Sequence, residues 1–171
     1  MPTATPRLTL RPPREPDPLE AFHQEQLFRQ CDLLAGRAPE LRLLYAVPNG
    51  GWRHKATAVA MEKQGVKPGV PDMALDLARH GFHGLKIELK RYREGDVADT
   101  QAGWLTRQAK NGYRAVVCWG WLAAWEELLW YIGREDLLLP KGHITTHYLA
   151  EYPSAPFWHR GGANVLPRKY S

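Results

Sequence analysis

Asp72, which follows a proline, and the triplet Glu88-Leu89-Lys90, sixteen residues further on, are the residues best suited to chemistry in this sequence. An i, i+2 spacing on a strand puts the Glu88 carboxylate and the Lys90 ammonium on one face. With Asp72 on an adjoining hairpin strand and facing the same way, two carboxylates converge beside one cation, a hard-oxygen set suited to Mg²⁺ or Mn²⁺. Taken alone, Leu85-Lys86-Ile87-Glu88-Leu89-Lys90 also reads as an ordinary amphipathic strand with a solvated charged face. Its weight rises with its company: the Pro48-Asn49-Gly50-Gly51 loop ahead of it, and Gln101 at the start of the helix behind it.

The elements that must hold these residues follow from periodicity and punctuation. Strict alternation sends Leu85, Ile87 and Leu89 to one apolar face of the Glu88 strand. Pro71 to Leu77 reads as the strand before it, Ala78 to Gly84 as the hairpin connection, and Gly65 to Val70 as a Gly/Pro-rich lead into Asp72. Upstream, Glu20, Gln24, Leu27, Cys31 and Leu34 recur at helical spacing on one stripe, predicting a helix that ends near Gly36. Leu41 to Val47 reads as a strand and Ala56 to Gln64 as a short helix. A helix starting near Asp96 to Asp99 runs through Gln101, Trp104 and Leu105 to a glycine stop at Gly112. Tyr113 to Trp119 is a buried strand. Leu122 to Ile132 is a helix with Trp125, Leu128, Leu129 and Ile132 inward and Glu126 and Glu127 outside. A further short strand is expected around Ile144 to Leu149. This order describes an α/β domain, a small mixed sheet flanked by helices.

With 171 residues, 44% of them hydrophobic, the chain suffices for one core and not for two large ones. Six of its fourteen prolines lie before Leu19, so residues 1–18 read as a disordered basic arm, 19–133 as the folded domain and 134–171 as a less periodic extension. No stretch reaches the roughly 18 to 20 consecutive apolar residues of a membrane span, and the start lacks a secretory apolar run; a cytoplasmic protein with no membrane partner is the expectation. Two cysteines, Cys31 and Cys118, make neither a disulfide framework nor a zinc cluster and are expected to fill space. His143 and His147 lack a predicted helix and a further ligand. The formal net charge of +5 fits a polyanionic partner bound in a salt-sensitive way.

Together, Pro48-Asn49-Gly50-Gly51, Gly65-Val66-Lys67-Pro68-Gly69-Val70-Pro71-Asp72, Gly84-Leu85-Lys86-Ile87-Glu88-Leu89-Lys90, and Gln101 with Trp104-Leu105 and Gly112-Tyr113 resemble the VRR-NUC (virus-type replication-repair nuclease) domain. This is a branch of the PD-(D/E)XK nuclease superfamily, and the likeness covers about Leu19 to Gly133. It implies a restriction-endonuclease-like fold and a Mg²⁺- or Mn²⁺-dependent DNA endonuclease, structure-selective in the manner of Holliday-junction resolvases. It also implies a homodimer acting in DNA repair in a bacterial cell or phage-infected host. Asp72 and Glu88 would be the metal-binding acids, with the Leu89 carbonyl as a third oxygen ligand. Lys90 would orient or deprotonate the attacking water. Glu20 matches the acid of the family's first helix, with Glu25 the second choice, and Gln101 matches a glutamine that closes the site.

Asn49, Trp52, Arg53, Lys55 and Lys67 flank the expected site and suit contacts to a DNA backbone or an unpaired base. Trp119, Trp121, Trp125 and Trp130 offer further stacking surfaces, although helical spacing favours core packing for Trp125. The rival reading is a subunit that binds DNA structures and cuts only with a partner. A second rival is an interaction protein whose basic charge is incidental.

Overall fold

The computed structural model describes residues 19–48, 55–91, 95–139 and 154–156. The first helix, α1 (Glu20–Leu34), is followed by a 3-10 turn (Pro39–Leu43), strand β1 (Leu44–Ala46), helix α2 (Lys55–Lys63), strands β2 (Met73–Leu75) and β3 (Leu85–Lys90), helix α3 (Asp99–Lys110), strand β4 (Arg114–Trp119), helix α4 (Trp121–Ile132), a second 3-10 turn (Glu135–Leu137) and strand β5 (Ser154–Pro156). The strands lie side by side in chain order. β1, β2 and β3 pair antiparallel, β3 and β4 parallel, and β4 and β5 antiparallel. The result is the mixed sheet with flanking helices that the sequence predicts.

Alternation along β3 and β4 divides the core in two. Leu85, Ile87 and Leu89 join Val116 and Cys118 in packing with Leu27 and Cys31 of α1 and with Trp125, Leu128 and Leu129 of α4. On the opposite face Ala115, Val117 and Trp119 pack with Leu105 of α3. Glu88 and Lys90 stand opposite Val117 and Trp119 in the parallel register, so the charged face of β3 is the face that α3 covers. It is not solvated: Glu88 is 0% and Lys90 5% exposed.

Several expectations change. Leu41 to Val47 is only half strand, because Pro39, with its φ already set, starts a tight helical turn that runs to Leu43. Glu127 is not outside α4: it is buried, and its carboxylate takes Arg114 Nε at 2.6 Å and Nη2 at 3.1 Å. The segment after Gly133 contributes to the domain, with Leu137 in the main core and β5 extending the sheet beside β4. Residues 1–18 and the expected strand at 144–149, with His143 and His147, lie outside the described residues. Both cysteines are buried and burial raises their thiols, Cys31 to about 12, which agrees with space filling. Among the described residues no helix is long and apolar enough to cross a membrane.

Candidate active site

The site forms where β2, β3 and the first turns of α1 and α3 meet. Asp72 directly precedes β2, and the β2–β3 register, which pairs Met73 with Ile87, carries Asp72 opposite Glu88. Its Oδ2 accepts the Leu89 backbone N–H at 2.8 Å, which fixes the carboxylate across the ladder. Its main-chain oxygen accepts Val47 N–H at 2.7 Å, so Asp72 is tied on both sides.

Glu88 is the centre of the cluster. Its Oε1 accepts Lys90 Nζ at 2.6 Å and the side-chain amide of Gln101. Gln101 in turn accepts Ala98 N–H at 2.9 Å on its own Oε1, tying the start of α3 to the acid. Glu20 Oε2 stands 3.7 Å from Lys90 Nζ. Glu20, Asp72, Glu88, Lys90 and Gln101 thus lie in one neighbourhood, with the Leu89 backbone N–H on Asp72; strand spacing pointed to Asp72, Glu88 and Lys90, and the family resemblance to Glu20 and Gln101.

Glu88 Oε2 is buried and, among the described residues, no donor reaches it. Burial, then the charge of Asp72, push the Glu88 carboxyl up from 4.5 to about 8, although Lys90 opposes the shift. Asp72 is raised chiefly by burial, against the Leu89 N–H, Lys90 and a side-chain hydrogen bond with Glu88. Glu20 is raised by burial and by Asp72, against Lys90. For Lys90, burial lowers the value, but the Glu88 and Glu20 carboxylates outweigh it and keep the group an ammonium. Three acids held above their ordinary range around one cation form a pocket with too little positive charge. An unmet, buried carboxylate oxygen beside a second carboxylate fits a hard divalent cation, and the donors are the oxygen type that Mg²⁺ and Mn²⁺ take. Among the described residues no three His, Cys, Asp or Glu side chains cluster as a ready ligand set; Glu20 reaches the pair through Lys90.

Other sequence candidates fare differently. Lys67 is exposed on the connection leading to Asp72. Lys55 begins α2, but its side chain, like Asn49, Trp52 and Arg53, lies outside the described residues. Trp119 and Trp125 are buried in the two core clusters and present no face to a base. Trp130 is stacked against His80, ring centroids 4.7 Å apart, with the Arg114 guanidinium over it. Glu25 is exposed on α1, away from the buried stripe of His23, Leu27 and Cys31.

Two supports escaped the sequence reading. His23, one turn after Glu20, faces the Trp121 backbone N–H with Nδ1 at 3.4 Å and so anchors α1 to the start of α4. Gly95 packs on the stem of Lys90. Neither carries a pattern in the sequence: Gly95 is one glycine in a polar loop, and His23 lies beside the stripe of Glu20, Gln24, Leu27, Cys31 and Leu34.

No family model matches the chain, and no curated protein matches it. Among solved structures it is similar to a VRR_NUC domain protein, with 26% sequence identity and a TM-score of 0.58. The match covers 70% of this chain and 92% of that one.

Proposed function

We propose that this chain is a nuclease which hydrolyses DNA phosphodiester bonds with Mg²⁺ or Mn²⁺ and prefers branched substrates. The observation that carries the reading is the half-buried Asp72 facing the buried Glu88, with Glu88 Oε2 lacking a donor and Lys90 beside it. The likeness to a VRR_NUC domain protein supports the nuclease class, and the motif resemblance supports branched DNA and pairing of two copies.

Asp72, Glu88 and the Leu89 carbonyl would hold the cation, with Glu20 at the rim. When bound, the cation supplies positive charge for the phosphate and acidifies water. The chain's own residues do the rest. Gln101 and Lys90 together fix the Glu88 carboxylate, so one oxygen is held while the other faces the pocket. Lys90, an ammonium with further N–H groups beyond the one given to Glu88, orients the attacking water and stabilises negative charge developing on the phosphate. Deprotonation of water by Lys90 would need the neutral amine, which Glu88 and Glu20 disfavour.

The test is cleavage of labelled duplex, single-stranded, flap and four-way-junction DNA with Mg²⁺, Mn²⁺ or EDTA. Cutting should require metal, favour the junction, and fall by about a hundredfold or more in Lys90→Ala and Asp72→Asn. Full activity in Asp72→Asn removes the mechanism. Salt-sensitive binding of a branched form without any cutting would replace the proposal with a DNA-binding subunit that needs a partner.

A further inference from the structure

The two acids of the site are both referenced to one piece of structure, the first two turns of α3. Glu88 is referenced through Gln101. Asp72 is referenced through the connection that precedes it. Gly69 lies so close to α3 that a Cβ there would stand 2.6 Å from the Thr100 carbonyl carbon and 2.8 Å from Thr100 Cβ. Its φ of +80° is one that side-chain-bearing residues rarely adopt. One residue earlier, the Pro68 carbonyl accepts the Trp104 indole N–H at 2.9 Å. The Arg107 guanidinium lies over the Trp104 ring, 4.9 Å from its centroid, and holds the indole in place.

From Gly69 to Asp72 the chain has little freedom. Pro71 has a fixed φ, and Val70 before it is confined to extended backbone. Pro71 is also buried. A shift at Gly69 therefore passes to Asp72 rather than being absorbed on the way.

We propose that the first two turns of α3 are a gauge for the acidic pair: the Gly69–Thr100 approach and the Trp104–Pro68 bond, acting with the Leu89 N–H that holds the Asp72 carboxylate, set where Asp72 stands relative to Glu88, making Gly69 and Trp104 positioning residues for the divalent cation. The inference rests on the metal-dependent reading above. It explains why a glycine sits three residues before the acid and why an indole N–H on the flank of α3 is spent on a loop carbonyl.

The experiment is calorimetric titration of the full-length protein with Mn²⁺, alongside melting curves and the side-chain amide NMR signals of Gln101 in the metal-free state. Gly69→Ala, which must displace either the connection or the helix start, should weaken Mn²⁺ binding by about tenfold or more, in the range of supporting contacts to metal ligands, and Trp104→Phe by less than that but measurably. Gly69→Ala should also move the Gln101 amide signals. Leu137→Ala, a cavity in the core on the other face of the sheet, is the control: it should lower the melting temperature and leave Mn²⁺ affinity and the Gln101 signals as they are. If the wild type binds Mn²⁺ and both site variants bind it equally well, this inference falls and the nuclease reading stands. If the wild type binds no Mn²⁺, the metal reading falls and takes the inference with it.

Discussion

Gly95 lies against Lys90 so closely that a Cβ at Gly95 would stand 2.6 Å from Lys90 Cβ and 2.7 Å from the Arg91 carbonyl oxygen. The Gly95 carbonyl also accepts Trp119 Nε1–H at 3.1 Å, which pins that backbone to the end of β4. Lysine has a long flexible stem, and backbone pressed on its root removes rotamers that would carry the ammonium away from Glu88. On the proposed nuclease reading, Gly95→Ala should therefore lower kcat by about tenfold or more with a small change in KM, because a displaced Lys90 ammonium would stabilise the transition state less well. Wild-type kcat in this variant would remove the role given to the contact.

The raised Glu88 carboxyl makes the metal-free protein sensitive to pH. Glu88 moves from 4.5 to about 8 on folding, first through burial and then through the charge of Asp72. The folded protein thus keeps a proton that the unfolded chain releases at lower pH. The associated stability is complete below pH 4.5 and is lost as pH rises through about 8. In EDTA, Glu88→Gln, neutral throughout, should melt above the wild type by several degrees at about pH 9, with a smaller difference at about pH 5. A variant curve that runs parallel to the wild type across this range would contradict the shift.

Much of the site was legible because its signals are local. The alternation of Leu85 to Lys90 gives β3 to the residue, and the spacing from Glu20 through Leu34 gives α1 almost as closely. What remained hidden depends on contacts between distant segments. Whether Glu88 and Lys90 are solvated or buried is decided by α3 lying over β3 and β4, which no alternation within β3 reveals. Glu127 sits in α4 beside apolar neighbours, and its pairing with Arg114, thirteen residues earlier, leaves no pattern within α4. The approach of Gly69 to Thr100 joins segments 31 residues apart. β5 is three residues long and pairs with β4 without any periodic pattern of its own.

Arg114 and Glu127 form a mostly buried ion pair, with side chains 16% and 5% exposed. Removing one partner leaves the other charged and desolvated, which costs about 3 kcal/mol or more, whereas replacing both with apolar groups of similar size restores most of the loss. Arg114→Met should lower stability in urea titration by about that amount, and Arg114→Met with Glu127→Leu should recover it. Equal losses in the single and double variants would show that the Arg114 guanidinium's contacts over Trp130 and Phe82 matter more than its pairing with Glu127.

Lys67 is exposed on the connection that leads through Gly69 to Asp72, a place where, on the proposed nuclease reading, an ammonium would meet a phosphate flanking the cleaved bond. A phosphate contact releases a counterion, so it is read as a slope rather than as a single affinity. With Ca²⁺ in place of Mg²⁺ to hold turnover back, Lys67→Ala should weaken junction binding at each salt concentration and reduce the slope of log K against log salt by about 0.9. The loss should be the same for DNA of any sequence, since a phosphate carries no base identity. An unchanged slope would place Lys67 outside the DNA path and direct attention to the other basic residues around the site.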